Sequence, residues 1–349
     1  MEYTISITPQ TERVVTDARS IPFGKVPTEH MFIAEYRNGE WQNARITPFA
    51  NLTMSPFALC LHYGQTVFEG MKAFAMQDGK VNIFRPDKHY DRFTKSLQRL
   101  CMPSVPKNLF MEALHQLIQL DANWVPSDGD GSLYIRPFMI ASEDRIGVKA
   151  SDEYLFMIVC SPAYKYYAKP LKVKVETQFV RAADGGTGSA KCGGNYGAAL
   201  LPSQMAREAG YDQVLWTDSK THEFIEESGT MNVMFYMDNT LITPPLSGTI
   251  LDGVTRDSLL TLAREKGIKV EERKIKHKEI IDALEAGKRV EAFGAGTAAV
   301  VAPIQIIAVG DKQYKCYIEP DAIMYQLQDE LFNIRKGIAP DTHNWNYIV

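Results

Sequence analysis

Two dipeptides constrain this chain more tightly than any other feature: Asn38-Gly39 and Asp78-Gly79, each set between short runs in which apolar and polar residues alternate. A two-residue hairpin turn needs backbone at positive φ, which glycine adopts without a Cβ clash and Asn or Asp tolerates. The runs MFIAEYRNGEWQNARI and KAFAMQDGKVNIF are therefore expected to fold as antiparallel hairpins. Directly after the second, Arg85-Pro86-Asp87 marks a helix start, and Tyr90, Phe93, Leu97 and Leu100 recur at helical spacing. Leu109 to Leu120 reads as a second amphipathic helix, and SLYIRPFMIAS and EYLFMIVCSP read as buried strands.

A polar, tyrosine-rich stretch, AYKYYAKPLK, follows and reads as a linker at residues 161–171, between an N-terminal domain at 1–160 and a C-terminal one at 172–349. A length of 349 residues accommodates about two domains. Beyond the linker, VKVETQFVR, DQVLWTD and FIEESGTMNVMFYM are expected as strands, the last with a bend, and a helix runs through MAREAG, with Pro202 expected to delay its start or kink it. GVTRDSLLTLAREKG is expected as a helix capped by Thr255 and ended at Gly267, and RVEAFGAGTAAVVAPIQIIAVG as closing strands.

Composition excludes several classes of partner. A net charge of -4 leaves no polybasic patch for nucleic acid, and no run of about 18 apolar residues would span a membrane. MEYTISITPQTERVV carries charge where a signal peptide would be apolar, and five scattered cysteines without a C-x-x-C pair suit a reducing cytoplasm. The seven histidines show no metal-ligand spacing, so no metal is expected, and no G-x-S-x-G nucleophile motif occurs.

The chemistry centres on GGTGSAKCGGNYGAAL, Gly185 to Leu200, where Lys191 is the one charge among small and apolar residues. A Walker loop is excluded, because Ala190 and Cys192 flank the lysine where glycine and Ser/Thr are needed. A flexible surface loop is the plainer reading, but GGNYGAALL is too apolar for it, and a lysine among such groups serves as an amine nucleophile. A lysine that binds pyridoxal phosphate needs three helpers: an acid for the ring nitrogen, an anion site for the phosphate and a donor near the phenolic oxygen. Glu226 or Glu227 could supply the acid, one of the two facing inward from its strand. The start of the GVTRDSLL helix at Val254 and Thr255 could hold the phosphate, with Arg92 as a second candidate whose plainer reading is a solvent-facing helix flank. FGAGTAAVVAP matches G-x-G-x-x-A, but it leads into β-branched residues and Pro303 instead of a helix, which argues against a dinucleotide oxidoreductase and leaves an amide nest for a carboxylate.

HYGQTVFEGMKAF, FRPDKHYDRF, LYIRPFMIAS, KCGGNYGAAL, EESGTMN, LDGVTRDSLL and FGAGTAAVV together resemble the branched-chain amino acid aminotransferases, in their longer animal-like subgroup. That resemblance implies the fold-type IV architecture of α+β and α/β character, with a smaller N-terminal α/β domain, a larger C-terminal pseudo-barrel domain and the active site between them. It implies pyridoxal 5'-phosphate as cofactor, with Lys191 as its covalent anchor and general acid-base, Glu227 at the ring nitrogen and Tyr196 near the phenolic oxygen. Arg92, Thr230, Val254, Thr255 and Thr297 complete the cofactor set. The substrate α-carboxylate is expected at Thr297 and Ala298, the side chain among Phe23, Tyr63, Phe68 and Tyr134, and the second carboxylate of glutamate at Arg136. Val148 would reach into the partner's site in a homodimer. The implied reaction takes leucine, isoleucine or valine and 2-oxoglutarate to branched-chain 2-oxo acids and glutamate in the cytoplasm. Other fold-type IV enzymes, the D-amino acid aminotransferases and aminodeoxychorismate lyases, share the lysine and glutamate but not the aromatic segments. Mammalian members carry C-x-x-C where this chain has Ala299 and Ala302, so no thiol switch is expected there.

Overall fold

A computed structural model describes residues 3–9, 22–164, 167 and 169–349. The chain divides into two compact units, Met1–Tyr166 with Ala190–Gly194 and Ile334–Val349, and Tyr167–Ser189 with Asn195–Asn333. The segment holding Lys191 and the C-terminal tail thus count with the first unit although both follow the interdomain stretch in sequence.

In the first unit, β1 (Ser6–Ile7), β2 (His30–Arg37), β3 (Glu40–Pro48), β4 (Thr66–Phe68), β5 (Met71–Ala75), β6 (Val81–Phe84), β7 (Ser132–Ala141) and β8 (Tyr154–Ala163) form one sheet, joined by a last strand at Asn346–Ile348. The order is β1-β3-β2-β8-β7-β5-β6 and then that last strand, with β4 added to β7. Both expected hairpins are present: Asn38 and Gly39 turn β2 into β3 at φ 55° and 83°, and Gly79 at φ 84° turns β5 into β6. A short helix α1 (Leu59–Tyr63) is followed by α2 (Pro86–Arg99) and α3 (Lys107–Leu120). The apolar stripes of α2 and α3 bury Phe93, Leu97, Phe110, Leu114 and Leu117 in one core with Phe32 and Phe156 of the sheet. The rings of Phe93, Phe110 and Phe156 lie with centroids 5.7–5.8 Å apart, a spacing at which aromatic pairs attract.

The second unit is built on β9 (Leu171–Val175), β10 (Gln213–Thr217), β11 (Ile225–Ser228), β12 (Met231–Met237), β13 (Thr240–Thr243), β14 (Lys269–Glu272), β15 (Glu291–Gly296), β16 (Val300–Val309) and β17 (Lys312–Lys315). Six of them close on themselves: the pairings run β11-β10-β9-β16-β15-β12 and back from β12 to β11. Closure removes the exposed edges that an open sheet would leave. Its helices are α4 (Gly193–Ala198), whose first two residues count with the first unit, α5 (Leu200–Glu208), α6 (Val254–Glu265), α7 (His277–Glu285) and α8 (Ile323–Arg335), whose last two do so as well. The final strand, Asn346–Ile348, is β18.

Three local expectations are refined. Pro202, expected to delay or kink a helix, lies in the first turn of α5, which is separated from α4 at Ala199. Thr255 is not the cap of α6: Gly253 takes that position at φ -72°, and Thr255 is inside the first turn. A Cβ at residue 253 would stand 1.9 Å from Asn232 Oδ1, so a close approach of side chain to backbone excludes the usual Ser or Thr cap. Glu226 and Glu227 are both buried, where alternation suggested one would face solvent, because β11 is covered along all four of its residues.

Candidate active site

In the first unit Lys191 is fixed through its main chain. Its N–H donates to Ser96 Oγ of α2 at 2.9 Å, its carbonyl accepts from Phe68 N–H of β4 at 3.0 Å, and Cys192 bridges to Val67. The glycine after Cys192 allows this: a Cβ on Gly193 would stand 2.5 Å from Thr66 Oγ1. Lys191 Nζ then lies 4.7 Å from the centroid of the Phe68 ring. Arg136 meets the same ring, its Cζ 4.6 Å from the centroid, and donates through Nη2 to the Tyr134 hydroxyl at 3.0 Å. Arg136 Nε is buried with no hydrogen-bond partner among the described residues. Phe23 packs edge-on against Tyr134 at 4.8 Å.

Phe23, Phe68, Tyr134, Arg136 and Lys191, expected together from sequence, thus form one cluster. Tyr63 and Val148 are placed differently. The Tyr63 hydroxyl donates to the Ile146 carbonyl, and Val148 is 82% exposed on the loop that follows.

Arg92 and Ser96 are buried, not on a solvent-facing flank. The reason is a residue that the sequence reading passed over, Glu69 at the end of β4. Arg92 donates to it from Nε at 2.7 Å and from Nη2 at 2.8 Å, and His89 Nδ1 is 2.8 Å from Glu69 Oε2. Burial alone would raise the Glu69 carboxyl, but the Arg92 charge and the hydrogen bonds from Arg92 and His89 outweigh it and hold the group far below the usual carboxylate range. Burial pushes His89 down against the pull of Glu69, with Arg92 and Lys191 adding to the fall. The FEG signal at Phe68-Glu69-Gly70 was visible in sequence, but nothing in it announces a partner more than twenty residues away.

The second unit gathers the remaining candidates. Glu227 Oε1 accepts from Leu251 N–H at 2.8 Å and from Asn232 Nδ2 at 3.3 Å, while Oε2 lies 3.2 Å from Arg181 Nε. Arg181 also donates to the Thr249 carbonyl. Arg181 is the second residue missed from sequence. Glu226 instead accepts from Thr249 Oγ1 at 2.6 Å, and burial raises its carboxyl. Val254 and Thr255, each 2% exposed, open α6, where no side chain caps the helix. Thr297 and Ala298 form the half-buried turn between β15 and β16, which leads into a strand and not a helix. Tyr196 lies part-buried on α4 beside Asn195, which is tied to Thr187 by bonds of 2.6 and 2.9 Å. Thr230 is exposed at the β11–β12 turn.

A buried, anchored carboxylate and a helix start whose amides take no side-chain cap among the described residues fit a pyridine nitrogen and a phosphate, and an amine on a fixed backbone fits a carbonyl carbon. The residues present therefore match pyridoxal phosphate. A group of three metal-capable side chains among the described residues, Glu29, His30 and Asp121, is buried, and His30 is bonded to Asp121 at 2.5 Å.

Residues 66–307 match the family described as amino-transferase class IV. The chain belongs to the class IV aminotransferase family. Among curated class IV relatives it is 42% identical to branched-chain-amino-acid aminotransferase 2 of Bacillus subtilis over 340 residues, covering 96% of this chain and 94% of that one. Among solved structures it resembles the branched-chain amino acid aminotransferase of Escherichia coli, with a TM-score of 0.75, 26% identity and coverage of 91% and 98%. The PLP-form enzyme of the same description from Thermobaculum terrenum gives a TM-score of 0.76, 25% identity and coverage of 92% and 98%. Among the described residues no helix is long and apolar enough to cross a membrane.

Proposed function

We propose that this protein is a pyridoxal-phosphate-dependent aminotransferase that passes the amino group of leucine, isoleucine or valine to 2-oxoglutarate, releasing a branched-chain 2-oxo acid and L-glutamate. The observation that carries the reading is the ring shared by two functional groups: Lys191 Nζ and Arg136 Cζ lie 4.7 and 4.6 Å from the Phe68 centroid. An amine, an aromatic wall and a guanidinium in one cluster suit amino acids whose side chain is apolar in one half-reaction and a carboxylate in the other. The descriptions of the relatives at 42% identity, which name branched-chain amino acids, support the amino-donor side of this reading.

Pyridoxal phosphate supplies, when bound, an electron sink for negative charge at the substrate Cα. Lys191 holds it through Nζ and moves the proton at the substrate Cα. Glu227, anchored by Leu251 N–H and Asn232, keeps a proton on the ring nitrogen. The Val254 and Thr255 amides, with Arg92 and Thr297, serve the phosphate, Thr230 belongs to the same cofactor set, and the Tyr196 hydroxyl serves the phenolic oxygen. The turn at Thr297 and Ala298 takes the α-carboxylate. Phe23, Phe68 and Tyr134 exclude water from the apolar side chain, and Arg136, whose buried Nε has no partner among the described residues, pairs the distal carboxylate. In this reading the protein works in the cytoplasm as a homodimer, and the exposed Val148 completes the partner's pocket.

The test is spectroscopic. Leucine should bleach the cofactor absorption of the purified holoprotein and 2-oxoglutarate should restore it. If leucine, isoleucine and valine all leave the spectrum unchanged, the reading fails.

A further inference from the structure

Away from the Phe68 ring, the first unit buries a second cationic group. Arg335 is 4% exposed, and its side chain makes no hydrogen bond or ion pair among the described residues. Its Nε is sealed from solvent without a partner. What it does touch is aromatic: its Cζ stands 4.2 Å from the Phe84 centroid and 5.4 Å from that of Phe74. The β5–β6 register pairs Phe74 with Asn82, so Lys72, Phe74, Asn82 and Phe84 share one face of the sheet, and Arg335 lies on that face. Lys72 is 6% exposed there, and Lys336, next in the chain to Arg335 and equally buried, donates to the Gly131 carbonyl at 3.3 Å.

A guanidinium is seldom buried without a counter-charge, because leaving its hydration shell is costly unless an anion or acceptors replace it. The Phe84 ring face returns only a small part of that cost. The cost shows in the titration of both groups: burial and the neighbouring Arg85 hold Arg335 down at about 9, and burial with Arg335 holds Lys72 at about 7.

We propose that Arg335, with Lys72 and Lys336 beside it, forms a binding site for a small multiply charged oxyanion, of which inorganic phosphate is the simplest. An oxyanion supplies acceptors for the guanidinium fork and lies near the Lys72 ammonium, whose charge Asp130 offsets in part.

Holoenzyme, with its cofactor in place, is titrated with inorganic phosphate by calorimetry at constant ionic strength set with chloride, and its thermal midpoint is followed in the same two salts. The expected result is one saturable site and a midpoint that rises with phosphate but not with chloride. In Arg335→Gln both responses fall at least tenfold, and Arg335→Lys keeps part of them. Absence of saturable binding to the unmodified protein, or an unchanged response in Arg335→Gln, would overturn the proposal.

Discussion

Arg92 and Glu69 form a two-point ion pair inside the first unit, Nε to Oε1 at 2.7 Å and Nη2 to Oε2 at 2.8 Å, with the carboxylate wholly buried. Replacing one partner of such a pair strands the other, at a cost of about 3–5 kcal/mol. Glu69→Gln is therefore expected to lower the unfolding free energy by that amount at pH 7. The folded carboxyl titrates far below its unfolded value of 4.5, so its contribution is complete above that value and is lost as the pH falls. The gap between wild type and Glu69→Gln should narrow by about 1.4 kcal/mol per pH unit below about 4.5. Urea unfolding at pH 7 and pH 3.5 checks this, and an unchanged gap would assign the loss to packing instead.

What was legible in sequence was local. Asn38-Gly39 and Asp78-Gly79 carry their turns in two residues, and Lys191 stands out because nothing near it in the chain is charged. What escaped was the set of partners that only the fold brings near. Glu69 meets Arg92 and His89 from the other side of a hairpin, and Arg181 meets Glu227 from the loop that follows β9. The same holds for ring closure: β9 pairs with β16, more than a hundred residues further on, and no local pattern encodes that register. Glu226 shows how the closed ring defeats alternation, since a strand covered along its length buries both parities.

Arg136 should separate the two half-reactions. Its Nη2 is spent on Tyr134, and its buried Nε has no partner among the described residues. A hydrogen bond to a charged group contributes about 1.5–3 kcal/mol. Arg136→Met is expected to slow the glutamate half-reaction by about 10- to 150-fold and the leucine half-reaction by much less. Stopped-flow absorbance with each amino acid alone checks this, and equal losses in both would remove Arg136 from the specificity argument.

Lys72 shares the direction of the Glu69 pH slope, but its charge destabilises the fold where that of Glu69 stabilises it. Its folded pKa lies near 7, against 10.5 for an ordinary lysine, so between those values the unfolded chain binds more protons and stability rises with pH. The penalty is present in full below pH 7. Lys72→Met should therefore be stabilised over wild type at pH 6.5, and the advantage should shrink by about 1.4 kcal/mol per pH unit above 7. Denaturant midpoints in chloride buffers at pH 6.5 and 9.5 measure it. An advantage that grows with pH would show that the side chain is charged and paired.

Gly193 and Thr66 test how the lysine is held. A Cβ on Gly193 would come to 2.5 Å from Thr66 Oγ1 but stay 3.9 Å from Thr66 Cβ, so the clash lies with one oxygen. Gly193→Ala must displace either Thr66 or the backbone that follows Lys191, and overpacking of this kind costs about 1–3 kcal/mol. Because the Lys191 carbonyl and Cys192 are tied to β4 at Phe68 and Val67, that displacement reaches the amine, and activity should fall along with stability. Thr66→Ala removes the offending oxygen while leaving the β4 backbone bonds in place. The double variant is thus expected to recover most of both losses, with a coupling of about 1 kcal/mol or more between the sites. Thermal unfolding and steady-state rates on the four proteins of the cycle decide it: additive losses would place the constraint on residue 193 elsewhere than at Thr66.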